Sequence, residues 1–250
     1  GSTKLPFISE LQNLLSDTKI KSNIYSNISP NPRDDEIDGG CKAFKDGNHD
    51  SIIAIGGGSA MDGGKAICLT VNSGIPLWDF EFLDKVPRDL KGKNPFPKLI
   101  TIPTTAGTGA ETEVTAMVTD TKKGMKFCIW HPEARPCLAL VDPELTLKLP
   151  ANLTAWTGVD AMIHAIEGYS VPMFHPLCDG SALESLNLIS KSLKLAVNEP
   201  DNLVARGGMI VGSYLGGVAF LKGLGLVHAI SHMVGAEYNT CLLYTSDAAD

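Results

Sequence analysis

Apolar residues at 5, 7, 8, 11, 14 and 15 recur on a helical period, which predicts an amphipathic helix over Leu5–Leu15. Lys19–Ile28 alternates weakly and predicts a strand, and Asp35–Phe44 predicts a short helix. Ser51–Ile55 is a short apolar run with glycines directly behind it, the pattern of a buried parallel strand entering a loop. Ser59–Val71 then reads as a helix, and Lys98–Ile102 as a second short strand that ends in a Thr/Gly-rich loop. Val114–Thr119 and Met125–Ile129 predict a hairpin across 120–124, and Leu138–Val141 one more buried strand. Beyond Pro150 the helical period takes over, over Asn152–Tyr169, Pro176–Val197, Asp201–Leu221 and Leu226–Gly235. Alternating strands and helices in front and helices behind predict an α/β domain followed by an α domain, with the border near Pro143–Pro150.

Composition narrows the function classes. The chain has 250 residues, 44% of them hydrophobic and 20% charged, which is ordinary globular usage. The net charge of −7, with no Lys/Arg cluster, argues against nucleic acid or an anionic membrane surface as the main partner. Aromatics at 6% do not favour stacking platforms for single strands. No two of the six cysteines are closer than nine residues, so there is no CxxC motif, and Cys68 and Cys128 sit in apolar runs. Buried thiols in a reducing compartment are expected. The longest uncharged stretch, Gly207–Leu221, falls short of the ~20 apolar residues that span a bilayer. With no signal peptide at the start, a soluble cytoplasmic protein is expected.

The two ends read as those of a fragment. The first residue is Gly, and Cys241–Asp250 (CLLYTSDAAD) breaks the preceding helical pattern. That decapeptide resembles a translated sequencing adapter and is read as a non-native tail, so natural sequence is expected to stop near Thr240.

Two loops carry candidate chemistry. Gly56-Gly57-Gly58-Ser59 lies between a predicted strand and helix, where bare backbone N–H groups and a helix N-terminus favour a pyrophosphate. Neither the GxGxxG pattern, which meets Met61, nor the P-loop pattern, which meets Ser59 and Ala66, is satisfied. A tight turn without a ligand is the alternative. Thr104–Glu111 (TTAGTGAE) follows the second strand, and its small and hydroxylic residues suit a cofactor crevice as well as a simple turn.

Asp160 and His164 are four apart on one predicted helix, and His228 and His232 are four apart on another. Carboxylate and imidazoles on facing helices can form an N/O site for a divalent metal; hydrogen-bonded core histidines are the alternative. Glu167 is either a solvated helix charge or a partner behind the site. His49, His131 and His175 read as surface or loop histidines. Val159, Met162, Phe220 and Leu224 either shape a pocket or fill the core.

Taken together, GGGSxxDxxK at 56–65, IPTTAGTGAE at 102–111, VDPELT at 141–146, GVDAMIHAIE at 158–167 and GLGLVHAISHMVGAEYNT at 223–240 resemble the iron-dependent (group III) alcohol dehydrogenase family. Asn31-Pro32 resembles that family's NP turn. The resemblance implies a dehydroquinate synthase-like architecture, truncated at both ends. It would comprise an α/β dinucleotide-binding domain over 1–149, lacking its first strand and turn, and part of an all-α metal-binding domain over 150–240. It implies that Gly57, Gly58 and Ser59 hold the pyrophosphate of NAD or NADP, with Asn31 beside them. Asp62 would sit near the nicotinamide, Thr104, Thr105 and Thr108 would line the adenine and ribose path, and Lys126 would reach a ribose hydroxyl. Asp160, His164 and His228 would bind Fe2+ or Zn2+, and His232 would shuttle a proton. The implied reaction is hydride transfer between the nicotinamide and a small alcohol, aldehyde or hydroxy acid, with a homo-oligomer left open.

The family's fourth metal ligand, a His in a PHG turn, would fall near 242, where this chain has Leu242. An inactive nucleotide-binding fragment with an unfinished metal site is therefore the alternative. A hydroxyacid–oxoacid transhydrogenase is the other.

Overall fold

A computed structural model of the chain describes residues 6–82, 89–90 and 92–237. Leu5, the expected His position at 242 and the 241–250 tail lie outside the described residues. The front of the chain forms α1 (Pro6–Asp17), α2 (Asp34–Asp46), β1 (Ser51–Gly56), α3 (Gly58–Thr70), β2 (Lys98–Pro103), β3 (Thr115–Asp120), β4 (Met125–Trp130) and β5 (Leu138–Ala139). Four helices follow: α4 (Ala151–Ser170), α5 (Pro176–Asn198), α6 (Leu203–Ala219) and α7 (Leu226–Glu237). An α/β part is thus followed by an all-α part, and the elements beyond residue 30 match the hydrophobic periodicity closely.

The parallel sheet runs β1-β2-β5. Its register sets Gly56 beside Pro103, so the loops leaving β1 and β2 open at the same sheet edge. Parallel strands deliver their C-terminal loops to one side, which is where α/β ligands bind. Helix α3 lies close over β1 because Gly64 has no side chain: a Cβ there would stand 2.5 Å from the Ala54 Cβ. Ile37, Met61, Leu69, Leu99, Val118 and Ile129 fill the space between α2, α3, the sheet and the β3–β4 hairpin.

The helices pack through small residues. A Cβ at Gly212 would meet the Ile189 side chain at 2.6 Å, and one at Gly158 would meet Leu193 at 2.3 Å. These glycines let α4, α5 and α6 approach and close a second core around Ala161, Ile189, Met209 and Ile210. The stretch Leu203–Lys222, mean hydropathy 1.4, is long and apolar enough to cross a membrane. Half of it is buried here, and it serves as the central helix of this core.

Two expectations need correction. Lys19–Ile28 is not a strand. Lys19 turns the chain with φ 63°, and among the described residues no strand lies alongside to complete a ladder. The expected buried strand Leu138–Val141 contracts to Leu138–Ala139, although the Leu140 N–H still donates to the Thr101 carbonyl. It is the sheet's edge, with Leu138 49% and Leu140 44% exposed. His131 lies in the loop after β4, the second of the two readings given for it, and not on the surface. It is buried against Phe80 and Phe96, and its Nδ1 accepts from the Glu133 N–H.

Candidate metal centre and dinucleotide crevice

The first glycine loop sits where the sequence places it. Gly56 takes φ 145°, a conformation open to glycine, and Gly57 caps α3 with an extended backbone. The second loop faces it. The Thr104 N–H donates to the Gly56 carbonyl at 2.8 Å. A Cβ at Gly57 would meet the Thr105 methyl at 3.4 Å, and one at Gly58 would meet the Thr108 methyl at 3.0 Å. Gly57, Gly58, Thr105 and Thr108 all line one large cavity of about 1200 Å³. Ser59 lines it too, and its hydroxyl donates to the Pro30 carbonyl. Asn31 is tied to the same corner through its carbonyl, which accepts from the Ser29 hydroxyl at 2.7 Å.

Asp62, one turn along α3, points toward the hairpin. The fully buried Lys65 Nζ lies 3.9 Å from an Asp62 oxygen and 3.9 Å from a Glu113 oxygen, and it donates to the Thr115 carbonyl at 2.8 Å. Burial pushes the Asp62 carboxyl up to about 7, against the pull of Lys65. The same withdrawal from water raises Glu113 and carries Glu111 up to about 7. Lys126, on β4, acts electrostatically on both Asp62 and His232.

In the helical part, α4 and α7 bring Asp160, His164 and His228 together. One ligand atom from each lies within 4.8 Å of the others, and all three residues are buried. The Asp160 Oδ1 is 3.5 Å from His228 Nε2 and 4.0 Å from His164 Nε2. The two imidazoles stack at 4.4 Å. Each imidazole is held from behind: His164 Nδ1 by the Gly107 carbonyl at 3.1 Å, His228 Nδ1 by Glu167 Oε2 at 2.6 Å. The carbonyl can only accept, so His164 carries its proton on Nδ1 and turns the Nε2 lone pair inward.

This donor set fits a divalent cation. Both Asp160 carboxylate oxygens and His228 Nε2 are buried without a hydrogen-bond partner. Such groups are costly unless something else satisfies them. One carboxylate and two imidazoles suit Fe2+ and Zn2+ alike. Burial and the neighbouring His228 lower the His164 pKa. Burial also lowers His228, but the Asp160 and Glu167 carboxylates overcome it and raise the net value. Burial would raise Glu167, yet the N–H groups of Gly225 and Val227 and the His228 ring hold it below the usual range. His232 stands apart from the group, its ring 6.0 Å from that of His228. Burial, His228 and Lys126 depress it to about 4. Phe220 covers the site, its ring 4.8 Å from that of His164. Met162 packs into the helical core, and Leu224 is 38% exposed.

Glu167 and the Lys65–Glu113 pair were not resolved by motif reading. The signal for Glu167 was present: positions 160, 164 and 167 share one helix face. Lys65 and Glu113 are brought together only by the fold.

A parallel sheet feeds two glycine loops into one crevice and is followed by helices carrying a buried Asp–His–His group. Residues 1–143 match the family model for iron-containing alcohol dehydrogenase, and residues 154–241 match the C-terminal model of the same family. The chain belongs to the iron-containing alcohol dehydrogenase family. It is 39% identical over 216 residues to the NAD-dependent methanol dehydrogenase of Bacillus methanolicus, a match covering 86% of this chain and 55% of that one. A solved 1,3-propanediol oxidoreductase superposes with a TM-score of 0.91 at 32% identity, over 97% of this chain and 62% of that one. The sulfoacetaldehyde reductase of Bifidobacterium kashiwanohense, solved in complex with NAD+, gives 0.86 at 32% identity, over 98% and 64%. The chain thus spans little more than half to two thirds of the length of these relatives.

Proposed function

We propose that the chain forms the dinucleotide- and metal-binding part of an oxidoreductase acting between a nicotinamide cofactor, NAD or NADP, and a small alcohol, aldehyde or hydroxy acid. Residues 1–149 form the dinucleotide unit in this reading, and 150–240 the metal-binding unit. The observation that carries it is the convergence of three buried side chains, two of which, Asp160 and His228, turn ligand atoms without hydrogen-bond partners into the group.

Gly57, Gly58 and Ser59 offer backbone N–H groups at the start of α3 to a pyrophosphate. Thr105 and Thr108 form the facing wall, and Thr104, directly after β2, and Asn31 would contribute from beside it. Asp62 would sit near the nicotinamide, and Lys126 would reach a ribose hydroxyl. Asp160, His164 and His228 would hold the ion, Fe2+ or Zn2+. When bound, the ion would polarise a substrate oxygen as a Lewis acid and the nicotinamide would exchange the hydride. His232 keeps a neutral imidazole near pH 7 and can take a proton released as alcohol becomes aldehyde. Phe220, whose ring packs against that of His164, would help to keep water from the ligand cluster.

The test is turnover of short alcohols and aldehydes with NAD or NADP, followed by nicotinamide absorbance, with and without added Fe2+ or Zn2+. Metal-dependent turnover lost in Asp160→Ala supports the reading. Dinucleotide binding with no metal effect on either turnover or thermal unfolding rejects it.

A further inference from the structure

Glu167 makes contacts that the proposed reaction does not use. It lies on α4, 7% exposed, one turn beyond His164. Its Oε1 accepts from the Val227 N–H at 2.7 Å, and its Oε2 meets His228 Nδ1 at 2.6 Å. Val227 and His228 belong to the first turn of α7, whose opening N–H groups have no partner within the helix. The carbonyl of Gly225 accepts the first helical bond, from Ala229, so Gly225 occupies the capping position and has no side chain to cap with. A Cβ there would also stand 2.8 Å from Glu167 Oε1.

We propose that Glu167 is a positioning residue: it caps α7 from the neighbouring helix and fixes the His228 tautomer so that Nε2 faces Asp160 with its lone pair free. The proposal rests on the metal reading above for its consequence, though not for its geometry. Carboxylates can only accept, and Glu167 at 2.6 Å is the nearer of the two facing the ring, Asp160 standing at 3.5 Å, so the neutral His228 ring carries its proton on Nδ1. The remaining nitrogen, Nε2, lies 3.5 Å from Asp160 Oδ1 and has no hydrogen-bond partner. One side chain thereby sets both the place of the helix that brings His228 and the nitrogen offered to an ion. Carboxylates behind ligating imidazoles act in this way on metal affinity.

Glu167→Gln separates the two tasks. Its amide oxygen can still cap Val227, but its NH2 group then faces His228 Nδ1 and drives the ring proton to Nε2. If the oxygen turns to His228 instead, the NH2 group opposes the Val227 N–H. The experiment reads the His228 ring nitrogens by nitrogen-15 NMR in the metal-free full chain at about pH 9, and Co2+ affinity by chelator competition. Nδ1 protonation is expected in the unsubstituted chain. In E167Q, a shift of the proton toward Nε2 is expected, with Co2+ binding weakened about 10- to 100-fold. An unsubstituted chain whose His228 is protonated on Nε2 overturns the proposal, whatever the folding of the variant. So does an E167Q chain with unchanged tautomer and Co2+ affinity. An unsubstituted chain that holds the Nδ1 tautomer but does not take up Co2+ rejects the metal reading alone.

Discussion

The Nδ1 of His164 lies 3.1 Å from the carbonyl oxygen of Gly107. This contact ties the second glycine loop, which follows β2, to the helix that supplies Asp160. It depends on a close approach: a Cβ at Gly107 would stand 2.4 Å from the Thr157 carbonyl oxygen and 2.7 Å from the Thr157 Cα. Backbone cannot swing aside as a side-chain tip can. Gly107→Ala is therefore expected to push the loop off α4, costing about 1–3 kcal/mol and withdrawing the acceptor that orients His164. Urea denaturation reads the first effect, and Co2+ competition the second. Unchanged values in both would show that the loop and helix adjust independently.

Asp160 presents two buried carboxylate oxygens without donors. Asp160→Asn keeps the shape and removes the charge. The metal-free variant is expected to be no less stable than the parent, because a buried carboxylate that accepts no hydrogen bond is expensive. A metal at about 100 times its Kd stabilises by about 2.7 kcal/mol, so Zn2+ should raise the parent's unfolding temperature by about 5–10 °C. That rise should vanish in the variant. A Zn2+ shift of equal size in both chains would move the binding elsewhere.

Sequence pattern carried the helices well because each has a strong apolar face or a small-residue seam, as at Gly158 and Gly212 on α4 and α6. It misjudged Lys19–Ile28, where alternation was weak and only a neighbouring strand could have made the segment a ladder. The Asp160, His164 and His228 grouping was legible from two i,i+4 pairs, yet the sequence could not say that α4 and α7 meet there. For His131 the sequence left surface and loop open, and the loop position is buried. Its burial depends on Phe80 and Phe96, which are distant in the chain.

Lys65 and Glu113 form the ionic centre under the crevice, 3.9 Å apart, with the Asp62 carboxylate at the same distance from the ammonium. The Lys65 side chain is fully buried. Lys65→Met should cost about 3–5 kcal/mol, since it leaves buried carboxylates without their cation. Adding Glu113→Gln should restore part of that loss, with a coupling of about 1–3 kcal/mol in a double-mutant cycle. Additive losses in urea denaturation would show that the two groups do not act as a unit.

Glu111 gives the fold a dependence on pH that can be isolated. Its carboxyl is 2% exposed, Oε1 has no hydrogen-bond partner, and burial carries it up to about 7 from an ordinary value near 4.5. In the unfolded chain Glu111 ionises first, so between those values the folded state binds more protons. Its contribution is fully present below about pH 4.5 and is lost as pH rises through about 7. Above that the penalty levels off, on the order of 3 kcal/mol. Glu111→Gln cannot ionise, so its stability relative to the parent should climb by that amount from pH 4.5 to pH 8.5. Asp62 titrates with the same sign in both chains and cancels in the comparison. A parent–variant difference that stays flat across this range in urea denaturation would mean that the carboxyl reaches water in solution.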